Sequence, residues 1–189
     1  MAGLLNILGK LFGNKYDKDI KEISPIVEEI KSKSKDLAHL TNDEIRQQTI
    51  NLKQQINDFI KEERQQIQEL KEKTKEVPPE KKEALYTKID DLEKKVLEKI
   101  EEILNIILPT AFAVVKETAR RFSENEVIEV TASDNDKDLA ATKDFVSITG
   151  EKAIYKTNWD AAGTEIKWNM IHYDVQLIGG IVLHQGKIA

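Results

Sequence analysis

Thr41-Asn42-Asp43-Glu44-Ile45 opens the longest apolar-periodic region of the chain, and Pro78-Pro79-Glu80 divides that region in two. Thr41 carries a hydroxyl able to cap a helix. Glu44 stands three residues later, the spacing of a capping box. Ile45, Leu52, Ile56, Phe59, Ile60, Ile67 and Leu70 then recur at spacings built from threes, fours and sevens. Beyond the prolines, Leu85, Ile89, Leu92, Val96, Ile100, Ile103 and Ile107 form a second seam. Two long amphipathic helices joined by a short proline break fold back on each other. Residues 41–108 are therefore expected to form a long antiparallel helical hairpin of coiled-coil type. They hold 13 basic and 16 acidic residues, a mixed pattern that reads either as a solvated face or as an arm contacting a partner.

Residues 1–40, ahead of the hairpin, read as amphipathic helices. Leu4, Leu5, Leu8, Leu11 and Phe12 make a short helical face over residues 3–12. It suits either in-plane contact with acidic phospholipid or docking on its own protein. A second helix is expected from about Asp19 to Leu37, with Ile20, Ile23, Val27 and Ile30 on one face. Ser24-Pro25 within it predicts a restart or a kink.

Pro109 is expected to open a separate helix that runs to about Phe122. Residues 123–171 read as an acidic linker followed by a small β meander. The stretch 123–151 has 8 acids against 2 Lys, and Ser133-Asp134-Asn135-Asp136 reads as a turn. Strands are expected at Val127–Thr131, Phe145–Thr149, Ala153–Lys156 and Thr164–Trp168. Turns are expected at Gly150-Glu151 and Asp160-Ala161-Ala162-Gly163. This gives a sheet of two to four strands that needs a helix on one face, with Trp159 and Trp168 as its packing mass. Residues 172–189 complete the chain, and Asp174 to Leu183 have helical apolar spacing despite Gly179-Gly180. The fold class is mainly α with a small antiparallel β meander, an α+β arrangement.

Composition narrows the function. Of 189 residues, 33% are charged and 6% aromatic, a balance that favours long solvated helices. The net charge of −5 and pI near 5.4 give no footprint for nucleic acid. There is no Cys, which fits a reducing compartment. No apolar run is long enough to span a bilayer, and Met1 to Lys15 lack the plan of a signal peptide. His39, His172 and His184 are too scattered to suggest a metal site. A cytoplasmic location is expected.

Leu108 to Glu117, Tyr173 to Leu183 and Lys187 to Ala189, in order along the chain, resemble segments of the SecA family of preprotein translocase ATPases. Leu108-Pro109-Thr110-Ala111-Phe112-Ala113-Val114-Val115-Lys116-Glu117 is similar to the family's L-P-x-A-F-A-x-V-[RK]-E segment. Tyr173-Asp174-Val175-Gln176-Leu177-Ile178-Gly179-Gly180-Ile181-Val182-Leu183 is similar to its [FY]-D-V-Q-[LM]-[LI]-G-G-x-x-L segment. Lys187-Ile188-Ala189 resembles the strand leading into the phosphate-binding loop. Leu11-Phe12-Gly13 and Leu40 to Ile45 fit the first two helices. The hairpin from roughly 50 to 107 and the stretch 123–171 depart from the commonest form and resemble insertions of the Bacteroidetes type.

The resemblance implies the N-terminal part of a helicase-like P-loop motor. Such a motor uses ATP with Mg²⁺, has the SecY channel complex and unfolded preproteins as partners, and works at the inner face of the bacterial plasma membrane. It also implies that Gln176 reads the adenine edge, since a primary amide offers an acceptor and donors matching adenine N6 and N7. Tyr173 is expected either near the base or in the core. The chain contains no G-x-x-x-x-G-K-[ST] loop, so by itself it is expected to be inactive and to bind nucleotide weakly. Apolar faces meant for a missing sheet predict self-association. The rival reading is a non-enzymatic coiled-coil adaptor, which composition alone favours.

Overall fold

Neither interior proline ends a helix. The computed structural model describes residues 15–188, so segment 3–12 and Ala189 lie outside the described residues. Helix α1 spans Lys15–Leu37, α2 Asn42–Phe59, α3 Lys61–Glu76 and α4 Pro79–Glu124. Pro25 lies within α1, and Pro109 lies within α4 rather than opening a new helix. A proline withdraws the donor from the carbonyl four residues earlier. Those carbonyls belong to Lys21 and Asn105, both exposed residues, where water can satisfy them. Pro79, by contrast, begins α4 at the first helical position, where its fixed φ suits the helix and no N–H is needed. The Thr41 box forms: the Glu44 carboxylate accepts from Thr41 N–H at 2.7 Å, and Glu44 N–H donates to Thr41 Oγ1 at 3.2 Å.

The chain divides into two compact units, Arg46–Ala111 and the segments up to Ile45 and from Phe112 onward. In the first unit α3 runs antiparallel to α4. Glu63 on α3 meets Lys95 and Lys99, while Lys71 further along meets the lower-numbered Glu93 at 2.8 Å. The seam is Ile60, Ile67, Ile89 and Val96, flanked by Ile56, Phe59, Leu70, Leu92 and Ile100. The first arm is not one helix. It breaks at Ile60, whose φ of −110° and ψ of 6° leave the helical basin. Ile60 is fully buried, so packing overrides local helical preference there.

Glu63 is a buried charged group of α3, 3% exposed. Hydrogen bonds from Lys99 (2.8 Å) and then Lys95 (3.0 Å) hold its carboxyl down to about 2. A carboxyl depressed in the folded state stabilises above its unfolded value of 4.5, and that contribution is lost as pH falls toward 2. Glu63→Gln is therefore expected to flatten acid unfolding of the hairpin in this window. Acid titrations of helicity that superimpose for both forms would refute it.

In the second unit, β1 (Val127–Thr131), β2 (Val146–Thr149) and β3 (Lys152–Lys156) form an antiparallel sheet ordered β1-β3-β2. β4 (Asn158–Ala161) and β5 (Thr164–Lys167) form a separate two-stranded sheet. The sequence reading had one sheet of two to four strands. The expected turn took in Asp160 and Ala161, which lie in β4, because Asn158, Asp160 and Ala161 are residues depleted in strands and Trp159 alone favours one. Ser133-Asp134-Asn135-Asp136 is likewise not a plain turn. Ser133 caps the short helix α5 (Asp134–Ala140), and Asp136 closes a capping box, a pattern the same spacing rule covers when the acid is Asp.

Ile128, Val130 and Ala153 are the core of the three-stranded sheet. Phe122 from the end of α4 packs on them with Ile148 and Tyr155, which is the covering helix the small sheet needs. Trp168 meets the Phe122 ring edge-on at 6.1 Å and Trp159 at 6.5 Å. The open edge of β1 is occupied by the start of α2. Asp43 accepts from Thr131 N–H and Oγ1, both at 2.8 Å, and Asn42 Nδ2 donates to the Glu129 carbonyl at 3.0 Å.

Candidate functional site

Gln176 and Tyr173 stand together at the start of helix α6 (Asp174–His184). Tyr173 is the extended residue ahead of the first turn, with φ −79° and ψ 161°. Its N–H is one of the donors a helix start leaves unpaired, and Gln176 Oε1 accepts from it at 2.8 Å. Gln176 Nε2 lies 3.8 Å from the Met170 sulfur, a weak acceptor. Tyr173, Val175 and Gln176 are exposed, whereas Leu177 and Ile181 are buried. The helix is thus anchored by one face and displays its first turn. Clefts of about 650 and 520 Å³ elsewhere in this unit are lined by residues that include neither Gln176 nor Tyr173.

Two neighbours fix the helix. α6 packs against α1, where Lys31 bonds Glu28 at 2.9 Å and Asp174 at 3.2 Å. Those two hydrogen bonds, Glu28 first, raise the Lys31 ammonium above its ordinary value. The other neighbour is the part of α4 beginning at Phe112. A methyl added at Gly180 would lie 2.7 Å from Phe112 Cε1, so only glycine admits the ring at this distance. One turn along α4, the Lys116 ammonium donates to the His172 carbonyl. Within this unit, Phe112 and Lys116 of the first resembling segment therefore meet Gly180 of the second and His172 just ahead of it.

Sequence reading missed the polar cluster beside this contact. Glu117 is 1% exposed. It accepts from Arg120 Nε and Nη2 and from Arg121 Nε, each at 2.8 Å. Arg121 then reaches Asn42 Oδ1 at 2.8 Å and the carbonyls of Leu40 (2.6 Å) and Leu37 (3.2 Å). Leu37 closes α1 and its carbonyl also accepts from Leu40 N–H at 3.1 Å, so Arg121 adds a second donor there and serves the Leu40 carbonyl just beyond the helix end. The Lys116-Glu117 pair within the resembling segment was the available clue. Lys187 and Ile188, which the resemblance puts in a strand, are irregular instead, and Ile188 is 99% exposed. A strand has no ladder without a partner. Among the described residues, no group of three His, Asp or Glu is placed to hold a metal ion.

Comparison with known proteins places these features. The family model of the SecA DEAD-like domain matches residues 8–189. The protein translocase subunit SecA of Porphyromonas gingivalis is 49% identical over 187 residues, 99% of this chain and 17% of that protein. That of Phocaeicola vulgatus is 52% identical over 99% of this chain and 17% of its own length. That of Flavobacterium psychrophilum is 46% identical over 100% of this chain, again 17% of its own length. The chain thus spans about 17% of the curated relatives it matches. No solved structure matches it.

Proposed function

The chain belongs to the SecA family, and from that premise we propose that it carries the base-recognising edge of an ATP-driven motor moving unfolded preproteins through the SecY channel. The observation that carries the reading is the exposed first turn of a helix anchored through buried Leu177 and Ile181, with Gln176 displayed beside Tyr173. The donor set suits adenine. Gln176 Oε1 has a second lone pair beyond the Tyr173 bond, and its Nε2 meets a poor acceptor in the Met170 sulfur. Tyr173, 73% exposed, offers a ring beside it.

ATP with Mg²⁺ supplies the phosphoanhydride whose hydrolysis drives the whole protein. This chain's share is to hold the base. It contains no phosphate-binding loop, so phosphate and metal binding fall to other parts of the protein, and the chain alone is inactive. Among the described residues no helix is long and apolar enough to cross a membrane. The whole protein works in the cytoplasm, peripheral to the inner face of the plasma membrane. Contact of residues 3–12 with acidic phospholipid and self-association of the chain belong to the same proposal. Liposome flotation without residues 3–12 and light scattering test them. The adaptor reading loses its ground, because family membership accounts for the 173–183 segment and an adaptor does not.

The test is Gln176→Ala in the intact protein, comparing equilibrium binding of ATP and GTP. Losing paired contacts to a base edge costs about 1–3 kcal/mol of discrimination, so the preference for ATP is expected to shrink accordingly. An unchanged ATP-to-GTP preference would end the assignment of Gln176.

A further inference from the structure

We propose that Lys116 is a positioning residue for the nucleotide-facing turn of α6, a role that rests on the base-binding reading of Gln176. Lys116 lies on α4, and its ammonium donates to the carbonyl of His172, 56 residues away in sequence. That carbonyl belongs to the residue immediately before Tyr173, whose N–H Gln176 caps. The bond therefore fixes the peptide from which the displayed turn starts.

The His172 ring does not supply this anchor: its Nδ1 is buried and has no hydrogen-bond partner among the described residues. The Lys31–Asp174 pair lies on the other side of Tyr173 and is largely exposed, and exposed pairs hold geometry weakly. A partly buried ammonium on a carbonyl is charge-assisted and stronger. Downstream, Leu177, Ile181 and the Phe112–Gly180 contact anchor the body of the helix. The body is thus held by packing, and the entry to its first turn by Lys116.

Lys116 reaches the base only through His172, Tyr173 and Gln176. Removing its charge should loosen the turn without unfolding α6. Lys116→Met keeps the aliphatic stem and deletes the donor; Lys116→Arg keeps a donor. The experiment uses the intact protein and has two readouts: amide hydrogen exchange of Tyr173, Gln176 and Leu177 without nucleotide, and equilibrium binding of ATP against GTP.

Lys116→Met is expected to speed exchange at those three amides about tenfold while leaving Ile181 unchanged, and to weaken ATP preference in the same direction as Gln176→Ala. Lys116→Arg is expected to restore most of both. Unchanged exchange in Lys116→Met would overturn the proposal. So would faster exchange with full ATP preference in Lys116→Met when Gln176→Ala has lost it. If Gln176→Ala itself keeps full preference, the base reading fails and takes the nucleotide half of the proposal with it. The exchange result then decides the anchoring half by itself.

Discussion

Glu117→Ala is expected to destabilise the chain by about 3–5 kcal/mol, the cost of breaking a buried ion pair from one side. Glu117 is 1% exposed and Arg121 8%, so deleting the carboxylate strands a guanidinium that water cannot reach freely. Arg121→Ala is expected to cost a similar amount for the complementary reason. It leaves Glu117 buried and removes donors from Asn42 Oδ1 and the Leu37 and Leu40 carbonyls. Arg121→Lys should not rescue, because one ammonium cannot reproduce a planar fork that serves four acceptors in different directions. Urea unfolding followed by circular dichroism measures all three, and a loss below about 1 kcal/mol for Glu117→Ala would reduce the cluster to an ordinary surface pair.

The same cluster has a pH signature. Burial pushes the Glu117 carboxyl up, but hydrogen bonds from Arg120 and then Arg121 outweigh it and leave the group below its ordinary 4.5. Its contribution is therefore present above that value and is lost as pH falls below it. Glu117→Gln should unfold with less dependence on acid than the parent chain.

Adjacent glycines in α6 are expected to respond with opposite signs. A methyl at Gly180 would meet Phe112 Cε1 at 2.7 Å and Cζ at 3.0 Å, whereas one at Gly179 meets nothing within 4 Å. Gly179→Ala is expected to stabilise by about 1 kcal/mol, the helix-propensity difference. Gly180→Ala gains the same propensity but must displace an aromatic ring, and overpacking of this kind costs about 1–3 kcal/mol. In a Phe112→Leu background the Gly180→Ala penalty should shrink, because the ring edge is gone. A double-mutant cycle read by thermal unfolding checks this, and equal effects at the two glycines would show that α4 and α6 do not approach as closely as described.

The elements legible in the sequence are those specified by neighbours a few residues apart. Thr41 and Glu44 close their box within one turn, and Pro79 starts α4 where its ring is tolerated. Strand β1 has the bounds its alternation implies. Gln176 drew notice through its flanking residues, and its local environment proved to be local too: a cap on Tyr173 three residues away. The elements that were not legible depend on distant partners. Nothing around Pro109 foretells that α4 continues through it, since that depends on solvent at Asn105. Nothing around Ile60 foretells a break, since its cause is burial in the hairpin seam.

By itself, then, the sequence determined the helical hairpin, the start of α2, the Gly150-Glu151 turn and the family, because capping, periodicity and motif spacing are short-range properties of the chain; the second turn is narrower than expected, since Asp160 and Ala161 belong to β4. Only the tertiary structure decided that Arg121 serves the end of α1 from 84 residues away. It also decided that Phe112 selects glycine at position 180 and that Lys116 donates to the His172 carbonyl ahead of the Gln176 turn. A buried donor or ring finds its partner through the packing of whole helices, and that geometry is written in no local stretch of residues.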